Sequence, residues 1–372
     1  MTVDCIQDAQ GFQELRTEWQ ELLRESDADN PFLTWEWLHS WWTHAGTAGT
    51  LRLLVVRDGD TTLAIAPFRL VSAPLYWFSR LEFLGTGEAG SDYLDIIARR
   101  GSEPRAVESI AQFLESQQLA VRLTHLPQGS LAAQLADRMA DDGWTSSFTE
   151  DGQCPIINLS GHTFDSLLGT LGASHRANVR RRLRALERLG ARFERITDHG
   201  ERQQMLDLLA TFHSKRYADR GGSTAFGLAS VRAFHEEATR LALERGWLRM
   251  YVLRIGESVA AVMYGFIYQG RFYFYQHGYD ADQAAHSVGL ALMALSIRAA
   301  IDEGATEFDM LWGTEAYKAL WARDSRSLQR ADLFPVRLGG TVQRHAVEAR
   351  RGVAHLARRV LSLRSPGAPR GI

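Results

Sequence analysis

The strongest chemical signal in the sequence is a helix start with free backbone amides. An aromatic strand ends at Gly278, a short loop follows, and Ser287-Val288-Gly289 opens a helical pattern. Ser287 is a typical N-cap residue, and Gly289 removes side-chain bulk in the first turn, where backbone N–H groups point outward. These amides and the positive end of the helix dipole suit a diphosphate group. The alternative is an ordinary capped helix with an early glycine.

A second candidate site is the basic segment 174–190, whose spacing predicts a helix. Val179 belongs to its apolar stripe, together with leucines at helical spacing. Arg176, Arg180 and Arg184 lie on a neighbouring face. Planar guanidinium groups bind phosphate oxygens in pairs, so this face could anchor an anionic ligand. The alternative is a solvated basic helix.

The elements that position these residues follow the same order in both halves of the chain. In the second half, strands are predicted at 247–255, 258–268 and 271–279, and the pairs Gly256-Glu257 and Gln269-Gly270 between them suit tight hairpins. A helix over 287–303 and further strands follow. Antiparallel strands with a later helical crossover indicate an α/β (α+β) fold, in which helices flank a mixed, largely antiparallel sheet.

The first half is predicted from the same kind of pattern. Apolar spacing predicts helices at 12–23, 32–42, 103–118 and 130–140, and strands at 51–57, 62–70, 75–84, 93–97 and 120–125. No glycine-rich G-x-G-x-x-G segment follows a strand, which argues against a dinucleotide-binding fold.

The second half resembles the catalytic core of the GNAT acyltransferase superfamily. In such proteins a Ser-Pro-Gly or similar triplet opens the cofactor helix, and here Ser287-Val288-Gly289 stands at that place. A Phe-Asp strand then leads to a Gly-x-Glu-x-Tyr-Lys run, matched by Phe308-Asp309 and by residues 313–318. Trp312 and Thr314 stand where relatives often have arginine and aspartate.

The closer resemblance is to the Fem-like branch, which contains CelD-type cellulose-biosynthesis acetyltransferases and peptidoglycan peptidyltransferases. It covers residues 160–335 well. Residues 31–42, 51–70 and 91–95 resemble the leading half of the same proteins more loosely. The resemblance implies tandem GNAT-like domains: a non-catalytic domain at 1–159, an acyltransferase domain at 160–340, and a basic amphipathic helix with a disordered tail at 341–372.

The resemblance also implies an acyl-CoA donor, acetyl-CoA or another, and no metal. Acyl transfer from a thioester to an amine needs a deprotonated nucleophile, a polarised carbonyl and a route for the proton. The residues expected to bind the donor are Tyr275, Gln276, Ser287, Val288, Gly289 and Leu290. The expected catalytic residues are Glu315, Lys318 and His277. The expected acceptor-binding residues are Arg176, Asn178, Arg180, Arg181, His213 and Tyr317.

Each of these roles has a structural alternative. Glu315 could pair only with Lys318, three residues further on, and Tyr317 could pack only against Trp321. His277 could be an ordinary strand residue that hydrogen-bonds to a neighbour.

Charge and composition limit the function classes. The net charge is −2, but residues 1–159 carry 23 acidic and 11 basic residues while residues 160–372 carry 21 acidic and 31 basic ones. The basic half is therefore the place to expect an anionic ligand. Cys5 and Cys154 are the only cysteines, which excludes a cysteine-built zinc or iron–sulfur site. We expect neither a secretory signal nor a membrane span, and hence a cytoplasmic protein.

Together these observations predict an acyl-CoA-dependent N-acyltransferase that acts on an amine of an envelope or exopolysaccharide-related precursor. The acceptor is then a small molecule or glycan precursor, and no DNA is involved. Two alternatives stay open: an aminoacyl-tRNA-dependent Fem-like transferase, which would need a tRNA surface, and a non-catalytic GNAT-like scaffold in polysaccharide synthesis. The basic pattern of 342–363 could rest on an anionic membrane surface.

Overall fold

The computed structural model describes five stretches of the chain, which are residues 1–46, 48–73, 78–87, 89–217 and 224–336. The basic tail helix predicted within 341–372 lies outside these residues. Within them, no helix is both long and apolar enough to cross a membrane.

The strands of the first half are β1 (Thr2–Ile6), β2 (Thr50–Asp58), β3 (Thr61–Ala73), β4 (Phe78–Phe83), β5 (Ile97–Ala98), β6 (Ala120–Pro127) and β7 (Thr145–Asn158). Those of the second half are β8 (Arg192–Ile196), β9 (Leu248–Ile255), β10 (Ser258–Tyr268), β11 (Arg271–Tyr279), β12 (Glu307–Asp309) and β13 (Asp324–Phe334).

The helices of the first half are α1 (Ala9–Glu14), α2 (Arg16–Arg24), α3 (Trp35–His44), α4 (Glu103–Gln117) and α5 (Leu131–Asp141). Those of the second half are α6 (Phe164–Thr170), α7 (Ala173–Arg188), α8 (His199–Tyr217), α9 (Thr224–Gly227), α10 (Ala229–Glu244) and α11 (Val288–Asp302).

The strands form one continuous sheet in the order β1-β2-β3-β4-β6-β13-β7-β12-β11-β10-β9-β8, and the short strand β5 pairs with β3 outside this order. The arrangement is the same from both ends of the sheet. Four antiparallel strands come first, the fifth strand is parallel to the fourth, and a pair of strands at the centre follows. Each half supplies one strand of that pair. β13 pairs with β6 and β7, and β7 pairs with β13 and β12. The halves therefore exchange strands at the centre of the sheet.

The hairpins form where the sequence predicts them. Gln269 and Gly270 both have positive φ, at 47° and 70°, and this is the conformation that a two-residue type I′ turn requires. They join β10 to β11 in antiparallel register. The predicted fold class, a mixed and largely antiparallel sheet flanked by helices, is confirmed.

Several first-half boundaries differ from the prediction. The predicted strand over 93–97 is wrong except at Ile97, because Tyr93 has φ 57° and Asp95 caps α5 instead of extending a strand. The single helix expected at 12–23 is two helices that meet at Leu15. The long strand β7 and the edge strand β8 were not predicted at all.

Helices cover both faces of the sheet at the strands β9–β11. Along β10, Val262 and Tyr264 face a core that includes α8 and α10 and continues into the first half. Met263 and the β11 residue Phe272 face the opposite core, which contains α11. This alternation follows from the two-residue period of a strand, and it leaves α11 lying across β9–β11.

The first half also contacts the second half through aromatic packing. Trp37 of α3 packs edge-on against Phe234 of α10 at 4.9 Å and against Tyr275 of β11 at 5.1 Å between ring centroids. Phe32 lies 6.0 Å from the same tyrosine ring. Such pairs add about 0.5–1.5 kcal/mol each beyond the area that they bury. The aromatic residues of the first half thus support the strand on which several predicted site residues lie.

Because the two halves share the central pair of strands, weakening β13 should destabilise both of them. Leu333 is fully buried and pairs with Val121 of β6 and Ser146 of β7. We predict that Leu333→Ala lowers the free energy of unfolding by about 2–5 kcal/mol. Hydrogen exchange should show equal losses of protection in β6 and in β12. The exposed Leu189→Ala is the control, and a loss confined to one half would contradict the shared sheet.

Candidate active site

The site begins at a β-bulge in β11. Tyr264 of β10 is opposite Gln276, but the next residue, Gly265, is opposite Phe274, so Tyr275 has no partner in the register. Gly265 permits this geometry, since a Cβ at that position would lie only 2.1 Å from the carbonyl oxygen of Tyr273. A bulge bends its strand and changes the direction of the side chains that follow.

β11 then separates from its parallel neighbour. β12 pairs with β11 over only three positions, from Arg271–Glu307 to Tyr273–Asp309. Beyond them β11 continues for six residues while the chain after β12 turns into the loop 310–318. Because the two strands no longer pair beyond this point, an opening forms between residues 274–278 and 310–318.

We call this opening the central cleft, and its volume is about 480 Å³. It brings together residues that the sequence predicted separately. The predicted residues that line it are Tyr275, Gln276, His277, His213, Glu315, Tyr317 and Lys318. Residues of the first half, including Asp92 and His125, form another part of its wall.

Lys318 holds the loop of the cleft in place. Its side chain is buried, and Nζ donates hydrogen bonds to the carbonyl oxygens of Leu311 at 3.2 Å and Trp312 at 2.8 Å. Nζ also pairs with Glu315 Oε2 at 3.0 Å, while the Glu315 side chain stays 55% exposed. The ion pair that the i, i+3 spacing suggested is therefore present, and the Glu315 carboxylate lies at the mouth of the cleft.

The remaining predicted cleft residues contact one another. His213 of α8 has Nε2 2.9 Å from the carbonyl oxygen of His277, which links α8 to the bulged strand. The His277 ring lies 5.7 Å from the Tyr317 ring and 5.1 Å from the Phe274 ring. These contacts join the end of β11 to the loop 310–318 across the cleft.

The start of α11 differs in one respect from the expectation. Ser287 occupies the N-cap position, but its backbone is left-handed, with φ 55° and ψ 41°, and its side chain forms no capping hydrogen bond. The expectation that its hydroxyl caps the helix is wrong, because a 3₁₀ turn at Ala281–His286 leads into the helix and sets this backbone conformation. Its place at the helix start is as predicted.

The first amides of α11 are available to a ligand. Within the residues that the structure describes, the backbone N–H groups of Val288, Gly289 and Leu290 donate to no backbone or side-chain acceptor. A Cβ at Gly289 would lie 3.2 Å from the ring of Tyr279, so glycine allows this ring to pack close to the first turn of the helix. Free amides at a helix N-terminus attract anions such as phosphates.

The arginines of α7 do not gather at the central cleft. Arg176 donates to the carbonyl oxygens of Gly169 and Leu171, and Arg181 donates to Asn178 Oδ1 at 2.8 Å. Arg180 pairs with Asp165 at 3.2 Å beside a separate groove of about 450 Å³. None of the four predicted α7 residues, Asn178 included, is part of the central-cleft wall described here. Their role in binding the acceptor stays a prediction.

An arginine outside the predicted set contacts the turn that precedes α11. Arg182 donates to the carbonyl oxygen of Ala285, in the 3₁₀ turn before the helix, at 3.4 Å. Its Nε atom is buried and has no hydrogen-bond partner in the described structure. The sequence pattern pointed to Arg176, Asn178, Arg180 and Arg181 and gave no signal for Arg182.

A buried contact between the halves fixes the end of β12. Asp309 is fully buried, accepts a hydrogen bond from the Tyr93 hydroxyl at 2.6 Å and from the Leu311 amide at 2.8 Å, and lies 3.3 Å from Arg326. Burial outweighs these partners and raises the pKa of the Asp309 carboxyl to about 7. Tyr93 comes from the first half, so this hydrogen bond joins the halves directly beneath the cleft.

The first half also contributes polar groups that the prediction missed. Asp92 Oδ2 accepts the Trp312 amide at 2.9 Å, and Asp92 Oδ1 lies 3.3 Å from His125 Nδ1. The sequence signal for Asp92 was the resemblance of residues 91–95 to the leading half of Fem-like proteins. Nothing in the sequence pattern singled out His125, because it stands within an ordinary apolar strand.

A metal centre has no evident ligand set here. Within the residues that the structure describes, no three histidine, cysteine or carboxylate side chains come close enough to hold an ion together. The two cysteines are free, with Cys154 buried, and burial raises the pKa of its thiol.

Comparisons with known proteins agree with this geometry. Residues 173–319 match the family model described as an acetyltransferase (GNAT) domain. The predicted GNAT resemblance is confirmed for these residues, and the CelD-type branch stays a prediction. No curated protein matches this chain in sequence.

Solved structures resemble almost the whole chain. FemX has a TM-score of 0.61 at 12% identity and covers 91% of this chain and 98% of its own. A protein of unknown function from Bacteroides thetaiotaomicron has a TM-score of 0.60 at 15% identity, with 89% and 100% covered. L-PGS from Bacillus licheniformis has a TM-score of 0.56 at 16% identity, with 89% and 95% covered. At these identities the likeness shows the fold.

The hydrogen bonds of Lys318 predict a structural role that the other lysine of the chain lacks. Lys318→Met removes the donors to two loop carbonyl groups and leaves Glu315 unpaired, so it should lower the free energy of unfolding by about 1–3 kcal/mol. Lys215→Met, on the exposed face of α8, is the matched control and should change it by less than about 0.5 kcal/mol. Urea unfolding measures both, and equal effects would contradict this role.

Proposed function

We propose that this chain transfers an acyl group from an acyl-CoA thioester to an amine, and that the central cleft is the site of transfer. The premise is the match of residues 173–319 to the acetyltransferase (GNAT) domain. The observations that carry the proposal are the separation of β11 from β12 and the free amides at the start of α11, where Gly289 lies against Tyr279 at the end of β11. Residues 287–290 are not part of the central-cleft wall, so the donor would extend from the helix start along the end of β11 into the cleft.

The start of α11 would hold the diphosphate of the donor. The amides of Val288, Gly289 and Leu290 have no other acceptor among the described residues, and the helix dipole places partial positive charge at this end. Glycine at position 289 supports this fit, because it puts no side chain beside these amides. Arg182, which contacts the preceding turn, adds a full positive charge nearby.

The edge of β11 would bind the rest of the donor. After Tyr273 this edge has no strand partner, so backbone groups within 274–278 face the cleft. A backbone amide in Tyr275–Gly278 would polarise the carbonyl group that is attacked, as the superfamily resemblance implies. The bulge at Tyr275 supports this role, because it removes one residue from the regular pairing with β10.

Glu315, His277 and Lys318 are the proposed catalytic residues of the second half. The exposed carboxylate of Glu315 lies where an acceptor would enter, and the ammonium group of Lys318 holds that carboxylate and the loop carbonyl groups together. His277 lies against Tyr317 at the opposite side of the opening. In this arrangement Lys318 acts mainly by fixing the loop, and Glu315 contributes negative charge toward an amine.

We propose an amine on an envelope or exopolysaccharide-related precursor as the acceptor. Trp312 supports an acceptor that contains a ring. It is 53% exposed at the cleft, yet its position is fixed, because its indole N–H donates to the carbonyl oxygen of Asp151 at 2.7 Å and its amide donates to Asp92. A fixed and exposed aromatic face at a pocket is a common contact surface for ligands.

The donor proposal predicts specific stabilisation by acetyl-CoA. A ligand that binds only the folded state at 100 times its Kd stabilises the protein by about 2.7 kcal/mol, which thermal unfolding detects. We predict that Gly289→Leu abolishes this stabilisation, because the new side chain collides with the Tyr279 ring and disturbs the first turn of α11. Gly169→Leu is the matched control, since a Cβ at that helical glycine meets no atom within 4 Å.

The outcomes separate the proposed function from its rivals. Stabilisation by acetyl-CoA in Gly169→Leu but not in Gly289→Leu supports the proposal. No response to coenzyme A or acetyl-CoA would contradict it. Binding of tRNA that weakens steeply with salt would then favour an aminoacyl-tRNA-dependent transferase, and no binding of either would favour a scaffold.

A further inference from the structure

The first half contributes a histidine to the central cleft at an irregular point of β6. In the pairing of β6 with β13, Leu126 is opposite Gln329 and Leu123 is opposite Ala331, so two β6 residues face one β13 residue. His125 is one of these two, and its φ is 57°, an uncommon value for a residue other than glycine. Bulges next to active sites change the direction of a side chain, so that it leaves the regular alternation of side chains between the two faces of the sheet.

Both backbone groups of His125 are held outside the regular strand pairing. Its amide donates to Asp151 Oδ2 at 2.8 Å, and its carbonyl oxygen accepts the Leu94 amide at 3.2 Å. Backbone strain of this kind costs about 1–3 kcal/mol and persists only where the surroundings enforce it. The enforced conformation places the ring in the wall of the central cleft, with 24% of the side chain exposed.

Asp92 lies beside the ring. Its Oδ1 lies 3.3 Å from His125 Nδ1, and its Oδ2 accepts the amide of Trp312 at 2.9 Å. One carboxylate therefore connects the histidine of the first half to the loop that carries Glu315. Burial opposes protonation of this ring, but the Asp92 and Asp151 carboxylates outweigh it and raise the pKa of His125.

The other ring nitrogen of His125 is available to a substrate. Within the described part of the chain, neither ring nitrogen of His125 takes part in a hydrogen bond, and Nδ1 is buried with only an ion-pair contact of 3.3 Å to Asp92. Two other acid–base candidates of the cleft are engaged: Glu315 pairs with Lys318, and His213 Nε2 contacts the carbonyl oxygen of His277. A carboxylate beside one ring nitrogen and a second nitrogen without a hydrogen bond suit a general base.

We infer that His125 is the catalytic base of the transfer and that Asp92 is its positioning residue, so that the first half completes an active site of the second half. This inference rests on the proposed function. The acceptor is a primary amine, and the donor is a thioester. The amine nitrogen forms a C–N bond with the thioester carbonyl carbon, the C–S bond breaks, and the sulfur leaves as thiolate. Nε2 of His125 takes the proton that the nitrogen loses, and the imidazolium returns it to the thiolate through solvent.

The test combines binding, spectroscopy and turnover on the full chain. Protein with ¹⁵N-labelled histidine rings is titrated with acetyl-CoA, and His125→Gln identifies the His125 signals. We expect these signals to shift when acetyl-CoA binds and to report a pKa of His125 above 6.5. This pKa should fall in Asp92→Asn, because the variant loses the negative charge but keeps an oxygen that accepts the Trp312 amide. His199→Gln, exposed at the start of α8, is the matched control.

Turnover is measured with acetyl-CoA as the donor and glucosamine as the amine acceptor. His125→Gln should lower kcat by about 10²–10⁴-fold and leave the affinity for acetyl-CoA within about threefold of the wild-type value. Acetyl-CoA binding with unshifted His125 signals and unchanged kcat in His125→Gln would overturn this inference and leave the proposed function standing. Failure of the wild-type chain to bind acetyl-CoA would overturn both.

Discussion

The early end of the pairing between β11 and β12 is the constraint on which the site depends. Three paired positions hold the strands together as far as Tyr273 and Asp309, and a bulge at Tyr275 then bends β11 away. If the pairing continued, backbone hydrogen bonds would occupy the edge that now borders the central cleft. Asp309 stops it: its buried side chain accepts the amide of Leu311 and the hydroxyl of Tyr93, so the chain turns into the loop 310–318 instead of extending the strand.

The two halves are interdependent in structure, and the proposed chemistry draws on both. They exchange β7 and β13 at the centre of the sheet, and aromatic residues of α3 support β11 from behind. The same contact surface brings Asp92 and His125 to the cleft. The acidic first half supplies carboxylates around the proposed acceptor site, while the basic second half supplies the helix start for the proposed donor.

Local patterns predicted much of this molecule. Turn residues such as Gln269-Gly270 and apolar periods located the hairpins and α11, because short-range sterics set them. The order of the motifs predicted that Tyr275, His277, Glu315 and Lys318 share one site, and all four line the central cleft. The exchange of β7 and β13, the bulge at His125 and the pairing of Asp92 with Trp312 arise from contacts between residues far apart in sequence. No local period encodes such contacts, and for this reason the contribution of the first half was missed.

A crystal structure with bound coenzyme A tests the central claim most directly. The account predicts that the diphosphate accepts hydrogen bonds from the amides of Val288, Gly289 and Leu290, and that the chain leading to the sulfur enters the opening between β11 and the loop 310–318. The sulfur would then lie in the cleft that Glu315 and His125 border. Coenzyme A bound elsewhere, or a pairing of β11 and β12 that closes the opening in its presence, would contradict the account.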